Sequence, residues 1–250
     1  MLTDREVDRY QRQLLLREIG GAGLARLRKA TVVIAGLGGI GCPAALYLAG
    51  AGIGRLILVD DDTVARSNLQ RQVLFTEADV GRLKVAAGAE RLAALNPDIV
   101  AEACAARITP ANAAAIVAEA SLVIDGTDSF TARLAVSDAC VAAGVPLVAA
   151  AIGRWEVQVA LFRGRPCYRC FVPEPVADAD QCVAGGVAGP VPGIAGTLAA
   201  LAAIRALAGA GPDISGQLLR FDGLGWEPRL GRIAADPGCA ACGDGSTGRI

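Results

Sequence analysis

The chain has 250 residues, a formal net charge of -1 and 53% hydrophobic residues, which allows one large α/β domain with a substantial core. The near-neutral balance and the lack of long basic runs argue against a nucleic-acid surface. Histidine is absent, so no Ser-His-Asp or Cys-His pair can form and no metal site can use imidazole. Chemistry must run on Arg, Lys, Asp, Glu or Cys.

The N-terminus, Met1-Leu2-Thr3-Asp4-Arg5-Glu6, is charged and lacks an apolar signal core, which predicts a cytoplasmic protein. The 8 cysteines then read as thiols or metal ligands rather than disulfides. Residues 4–19 carry apolar side chains at helical spacing (Val7, Tyr10, Leu14, Leu15); Gly20, Gly21 and Gly23 are expected to break that helix before a short second one over 24–28. Thr31–Ala35 is a β-branched strand running into G-x-G-x-x-G at Gly36, Gly38 and Gly41, with Gly39 inside the loop. An Ala-rich helix over 42–51 and a second apolar strand, Arg55–Val59, follow and end on Asp60. Glycines let backbone approach a phosphate, the helix N-terminus offers free N–H groups, and a carboxylate at the tip of the second strand is placed to hold a ribose.

A polar turn, Asp60-Asp61-Asp62-Thr63-Val64, leads to Ser67-Asn68-Leu69-Gln70-Arg71-Gln72, and a helix is expected over 79–95, stopped by Asn96-Pro97. A strand of mixed polarity is expected over 99–108, and a helix over 110–120. Leu122–Asp125 reads as a buried strand whose end opens into Gly126-Thr127-Asp128-Ser129, another small polar loop at the strand ends where open α/β sheets gather ligands. A helix over 131–143 and a strand over 145–151 complete the alternation. Residues 155–162, 217–221 and 226–233 look like hairpin strands. The fold class is therefore α/β: a Rossmann-like, mostly parallel sheet flanked by helices and extended by antiparallel strands. Residues 182–204 are uncharged and long enough to cross a bilayer, but their prolines, glycines and Ala/Val character read as a loop leading into a buried helix, with no membrane span.

Cys167-Tyr168-Arg169-Cys170 and Cys239-Ala240-Ala241-Cys242 are two C-x-x-C turns. Each can present two thiolates to one metal, and four thiolates with no open position make a structural Zn²⁺ site. Cys42, Cys104 and Cys140 fall in apolar contexts and read as core. Arg12, Arg71, Lys84 and Asp128 border elements near the glycine loop. Joining a carboxylate to the α-phosphate of ATP needs no general base, because the nucleophile is already ionised; it needs cations and a carboxylate-held metal to offset negative charge.

Arg9-Tyr10-Gln11-Arg12-Gln13, the glycine loop with Cys42, Ser67 to Gln72, Val80-Gly81-Arg82-Leu83-Lys84, Asn96-Pro97, Asp125-Gly126-Thr127-Asp128 and the paired C-x-x-C turns occur in that order. Together they closely resemble the ThiF/MoeB/HesA family, relatives of the ubiquitin-activating enzymes, over essentially the whole chain. The resemblance implies an ATP-dependent adenylyltransferase of one ThiF-type domain, 1–250, with a nucleotide-binding half of about 1–150 and a carrier-binding and zinc half of about 151–250. Its substrate would be the C-terminal Gly-Gly carboxylate of a small ubiquitin-like sulfur carrier (MoaD- or ThiS-like) serving molybdopterin or thiamine synthesis. The resemblance further implies that Asp60 binds the ribose and that Gly36, Gly38, Gly39 and Gly41 approach the nucleotide. Ser67, Asn68, Arg71 and Lys84 would lie along the phosphates, and Asp128, with Ser129 beside it, would hold Mg²⁺. Arg12 would enter from the second subunit of a homodimer, and the carrier tail would thread under a loop over about 171–189.

Cys182 matches the position of a loop cysteine that is covalently used in some relatives and dispensable in others; its acidic neighbours Asp178 and Asp180 disfavour a thiolate. Val157 stands where the family often has Gly. The chain ends soon after the second C-x-x-C, so sulfur is expected from a separate donor protein. Three other readings remain at this point: a family member acting on a tRNA-linked carboxylate, an NAD-dependent Rossmann oxidoreductase, and a non-catalytic zinc-stabilised scaffold that has kept the nucleotide fold.

Overall fold

The computed structural model describes residues 2–173 and 186–244. Its frame is an eight-stranded sheet of order β3-β2-β1-β4-β5-β6-β7-β8. The strands are β1 Thr31–Ala35, β2 Arg55–Val59, β3 Val100–Cys104, β4 Leu122–Asp125, β5 Leu147–Ile152, β6 Glu156–Phe162, β7 Gln217–Asp222 and β8 Glu227–Arg232. β3 to β5 through β1 pair in parallel; β6, β7 and β8 are added antiparallel at the far edge. This is the mixed sheet the hydropathy pattern predicts.

Alternation within the central strands feeds two cores. Val32 and Ile34 of β1 face one side, with α3 (Gly41–Ala51), α4 (Lys84–Leu95) and α8 (Pro190–Ala208). Val33 and Ala35 face the other, with α5 (Ala113–Val117) and α6 (Phe130–Ala143). Central strands covered on both faces read as unbroken apolar runs, which is why β1 and β4 are plain in the sequence.

Several expected boundaries move. The first helix, α1, is Asp4–Leu14, and the next, α2, is Gly20–Lys29, so the glycines open a helix rather than separate two. Leu24 and Leu27 are wholly buried, and this burial outweighs the helix cost of glycine. α4 begins at Lys84, because a separate short 3-10 turn, Glu77–Asp79, is closed by Asp79 accepting from the Thr76 N–H and hydroxyl, and Gly81 then takes φ +89°. The strand expected over 99–108 is only β3, and the helix expected over 110–120 is only α5, because Asn112 turns back to accept the Thr109 N–H.

α8 is long and apolar enough to cross a bilayer, yet half of it is buried inside the fold, where it packs against α3, β5 and β6. The close approach depends on Gly196: a Cβ there would lie 2.2 Å from the Ile40 carbonyl oxygen and 2.5 Å from Pro43 Cγ. Backbone cannot yield as a flexible side chain can, so Gly196→Ala is expected to lower unfolding stability by about 1–3 kcal/mol. Denaturant titration checks this, and an unchanged midpoint would refute the tight α3–α8 contact.

Candidate nucleotide site and four-cysteine centre

Three loops meet at the carboxyl ends of β1, β2 and β4. Gly36, at the end of β1, has φ +84°, and a Cβ there would lie 3.1 Å from the Gly126 oxygen and 3.2 Å from Thr127 Cα. Only glycine lets the loops after β1 and β4 come this close. Among the described residues, the amides of Gly38, Gly39 and Ile40 donate to no protein acceptor, so the turn into α3 presents free N–H groups where the helix dipole favours an anion. Over Gly39 lie Pro192, from the first turn of α8, and Arg71, whose Cγ would be 3.5 Å from a Cβ on that glycine.

Asp60, just past β2, ties these parts together. Its Oδ2 accepts the Leu37 N–H at 2.7 Å and its Oδ1 the Asp62 N–H at 2.9 Å. Lys84 Nζ, 6% exposed, stands 3.7 Å from Asp60 and 2.7 Å from Asp62. Burial raises the Asp60 carboxyl above the usual carboxylate range, against the opposing pull of Lys84 and the two amides. The structure thus brings the glycine loop, Asp60, Arg71 and Lys84 into one neighbourhood.

The other expected residues differ in placement. Asn68 Oδ1 accepts the Ala65 N–H at 3.3 Å, and the Ser67 carbonyl accepts from Arg71 Nη1 at 3.0 Å, so this turn holds its own arginine in place. Ser129 uses its hydroxyl to cap α6, accepting the Ala132 N–H at 3.1 Å. Asp128 is exposed, and its side chain makes no hydrogen bond or ion pair among the described residues. A free carboxylate on an anchored loop suits a hydrated divalent cation, which usually takes one or two protein carboxylates. Arg12 is exposed on α1. Tyr10, two residues earlier, is bonded by Asn96, and Gln13 reaches the Ala51 carbonyl; α1 therefore sits at the C-terminal end of α3, away from the glycine loop of its own chain. Cys182 and most of the expected loop over 171–189 lie outside the described residues.

Sequence reasoning missed two arginines. Arg107 pairs with Asp61 at 3.0 Å and feels Asp62 and Asp128. Arg133, buried on α6, donates to the Thr127 carbonyl. Its signal was present in Asp125-Gly126-Thr127-Asp128 followed five residues later by a cation within an apolar run, Ala132 to Val136.

The two C-x-x-C turns come together as expected. The four Sγ atoms of Cys167, Cys170, Cys239 and Cys242 lie within 4.8 Å of one another, with Cys167–Cys239 at 3.6 Å and Cys170–Cys242 at 3.4 Å. A tetrahedron with Zn–S bonds of about 2.3 Å has edges close to these, and a disulfide, at about 2.05 Å, is far shorter. Burial raises the Cys167 thiol. At Cys239 burial acts the same way, but the amides of Cys242 and Ala241 and the neighbouring thiols bring it down to about 7. The donor set fits Zn²⁺ with no open position.

Strands laid in this order, a glycine turn at their centre and a closed thiolate tetrahedron beyond define a nucleotide-binding α/β protein with a structural metal centre. More narrowly, the chain belongs to the ThiF family, whose model matches residues 10–241. The adenylyltransferase and sulfurtransferase MOCS3 of Bos taurus is 46% identical over 251 residues; the alignment takes in 98% of this chain and 55% of that protein, so the chain spans about half of its length. The sulfur carrier protein adenylyltransferase of Thermus thermophilus is 41% identical over 256 residues, covering 99% of this chain and 94% of that protein. Among solved structures, Escherichia coli MccB with MccA-N7isoASN superposes with a TM-score of 0.83 at 26% identity, over 95% of this chain and 75% of that one.

Two outcomes follow. Because the folded pKa of Asp60 is raised, its contribution to stability is full below the unfolded value of 3.8 and is lost as pH rises through the folded pKa. Asp60→Asn is therefore expected to leave the nucleotide-free protein at least as stable as wild type at pH 7, with any gain vanishing on acidification toward pH 3.8; thermal melts over pH check it, and a loss at pH 7 would contradict it. Metal analysis is expected to find one zinc per chain. Its chelation should lower stability, and Cys239→Ser should lose the metal; metal-free native protein would overturn the site.

Proposed function

We propose that this protein uses ATP to adenylylate the C-terminal Gly-Gly carboxylate of a small ubiquitin-like sulfur carrier, MoaD- or ThiS-like, in molybdopterin or thiamine biosynthesis. The observation that carries the reading is the convergence on one end of the sheet of Asp60, Arg71, Lys84 and, without a hydrogen bond or ion pair among the described residues, the loop amides and Asp128, with no histidine in the chain. The name of the Thermus relative supports a sulfur carrier as substrate.

In this reading one carrier carboxylate oxygen bonds to the α-phosphorus, the bond from that phosphorus to the bridging oxygen breaks, and pyrophosphate leaves with the electron pair. No proton moves, so a base is not required. Asp60 holds the ribose, the glycine-loop amides and Asn68 orient the phosphates, and Arg71 and Lys84 offset their charge. Lys84, held by Asp60 and Asp62, would gain the triphosphate as a third anionic partner. Asp128 would hold Mg²⁺, which when bound supplies further neutralisation of the phosphates. Arg12 would come from the second subunit of a homodimer; its position at the far end of α3 supports a role in trans. The chain is taken as one ThiF-type domain, 1–250, with a nucleotide half to about 150 and a carrier and zinc half beyond, acting in the cytoplasm with a separate sulfur donor. Cys182 is kept as a candidate for a covalent intermediate on the resemblance alone.

The test is ATP–pyrophosphate exchange with Gly-Gly-ending carriers, against tRNA and against NAD binding. Exchange is expected with a carrier alone. Arg71→Ala and Asp128→Ala are each expected to cut it by at least about a hundredfold, with zinc content and melting temperature retained. Near-native turnover in either variant would remove the role given to that residue, and exchange supported only by tRNA would replace the substrate.

A further inference from the structure

The loop that carries Asp128 is anchored from three directions, and two of the anchors converge on one buried side chain. Asp125, 1% exposed, accepts the Thr127 N–H at 3.0 Å and the Thr127 hydroxyl at 2.7 Å through Oδ1. Gly126 N–H donates to the Ala35 carbonyl at 2.9 Å. Arg133 Nη2 donates to the Thr127 carbonyl, while Nη1 stands 3.7 Å from Asp125 Oδ2. One guanidinium thus reaches both the residue before Asp128 and the carboxylate that orients that residue.

The same helix, α6, also packs against the segment that carries Cys170. Tyr168, between Cys167 and Cys170 on the short helix α7 (Tyr168–Phe171), is buried in the same core as α6 and lines a small cavity with Arg133, Phe162 and Gln158. Arg169, next along α7, makes a two-pronged pair with Asp138 of α6 at 2.6 and 2.7 Å. The helix that begins at the Asp128 loop is thereby fastened to the thiolate knuckle by Arg169 and packs on it beside Arg133.

We propose that Arg133 is a positioning residue: it transmits the order of the four-cysteine centre, through Tyr168, to the loop that aims Asp128. This rests on the reading of Asp128 as the Mg²⁺ ligand. A guanidinium suits the task, because one nitrogen bonds the Thr127 carbonyl while another stays within ion-pair range of Asp125 at 3.7 Å, although neither Nη1 nor Asp125 Oδ2 makes a hydrogen bond; a lysine ammonium is a single point charge on a flexible stem. It also explains why a full charge is kept in an apolar stretch of α6, where a structural helix would use Leu or Met.

The experiment measures ATP affinity by calorimetry in the zinc-loaded full chain, with Mg²⁺ and with chelator, for wild type, Arg133→Lys, Arg133→Met and Tyr168→Phe. Wild type is expected to bind ATP more tightly with Mg²⁺. In Arg133→Lys and Arg133→Met that Mg²⁺-dependent gain is expected to fall about tenfold or more, with metal-free ATP affinity and zinc content held; Tyr168→Phe is expected to fall between these and wild type. If Arg133→Met does not fold, Arg133→Lys carries the test alone, since it keeps the buried charge. A full gain in the Arg133 variants would overturn the proposal while leaving the Asp128 reading intact, and equal losses with and without Mg²⁺ would show Arg133 serving only the fold. No gain in wild type would remove the Asp128 reading, and the proposal with it.

Discussion

The Asp60 carboxylate is the junction on which the ligand end of the sheet depends. It joins three segments that are remote in sequence: the glycine turn through the Leu37 amide, the acidic turn through the Asp62 amide, and the start of α4 through Lys84. Buried charge is costly unless matched by donors and counter-charge, so the same groups that make the carboxylate tolerable also fix the relative positions of the loops. Burial still holds its carboxyl above the usual carboxylate range, against the opposing pull of Lys84 and the two amides. In the proposed reading, a ribose hydroxyl would add one more donor to this carboxylate.

The four-cysteine centre answers a different need. The last third of the chain adds β7 and β8 as antiparallel strands, and β8 is exposed along its whole length. Such an edge has little core of its own. Bringing 239–242 against 167–170 returns the C-terminal segment to the body of the fold, and metal affinity then adds directly to folding free energy. The knuckle is also packed on α6 through Arg169 and Asp138, so its influence extends beyond the edge it fastens.

What could be read from the residues alone divides along physical lines. β1, β2 and β4 were legible because strands covered on both faces are uniformly apolar, and the C-x-x-C pair because metal geometry imposes a local spacing. The ends of α1 and the extent of α2 were not, because burial of Leu24 and Leu27 outweighs the local preference of Gly20 and Gly21. The start of α4 was hidden by a side-chain-capped turn at Thr76 and Asp79. In the site, Asp60, Arg71, Lys84 and the glycines stand in recognisable motifs. Arg107 does not, since it acquires its meaning only from Asp61, a partner that the topology brings near, whereas Arg133 bonds Thr127 six residues back and its signal lay unused in the local sequence.

A structure of the protein with ATP and Mg²⁺ tests the central claim most directly, which is that charge neutralisation at the carboxyl ends of β1, β2 and β4 replaces proton transfer. The account predicts adenosine beside β1 with its ribose on Asp60, Arg71 and Lys84 on the phosphates, the metal on Asp128, and Arg12 of the partner subunit facing the triphosphate. Adenosine bound elsewhere on the sheet, or these cations turned away from the phosphates in every subunit, would contradict it.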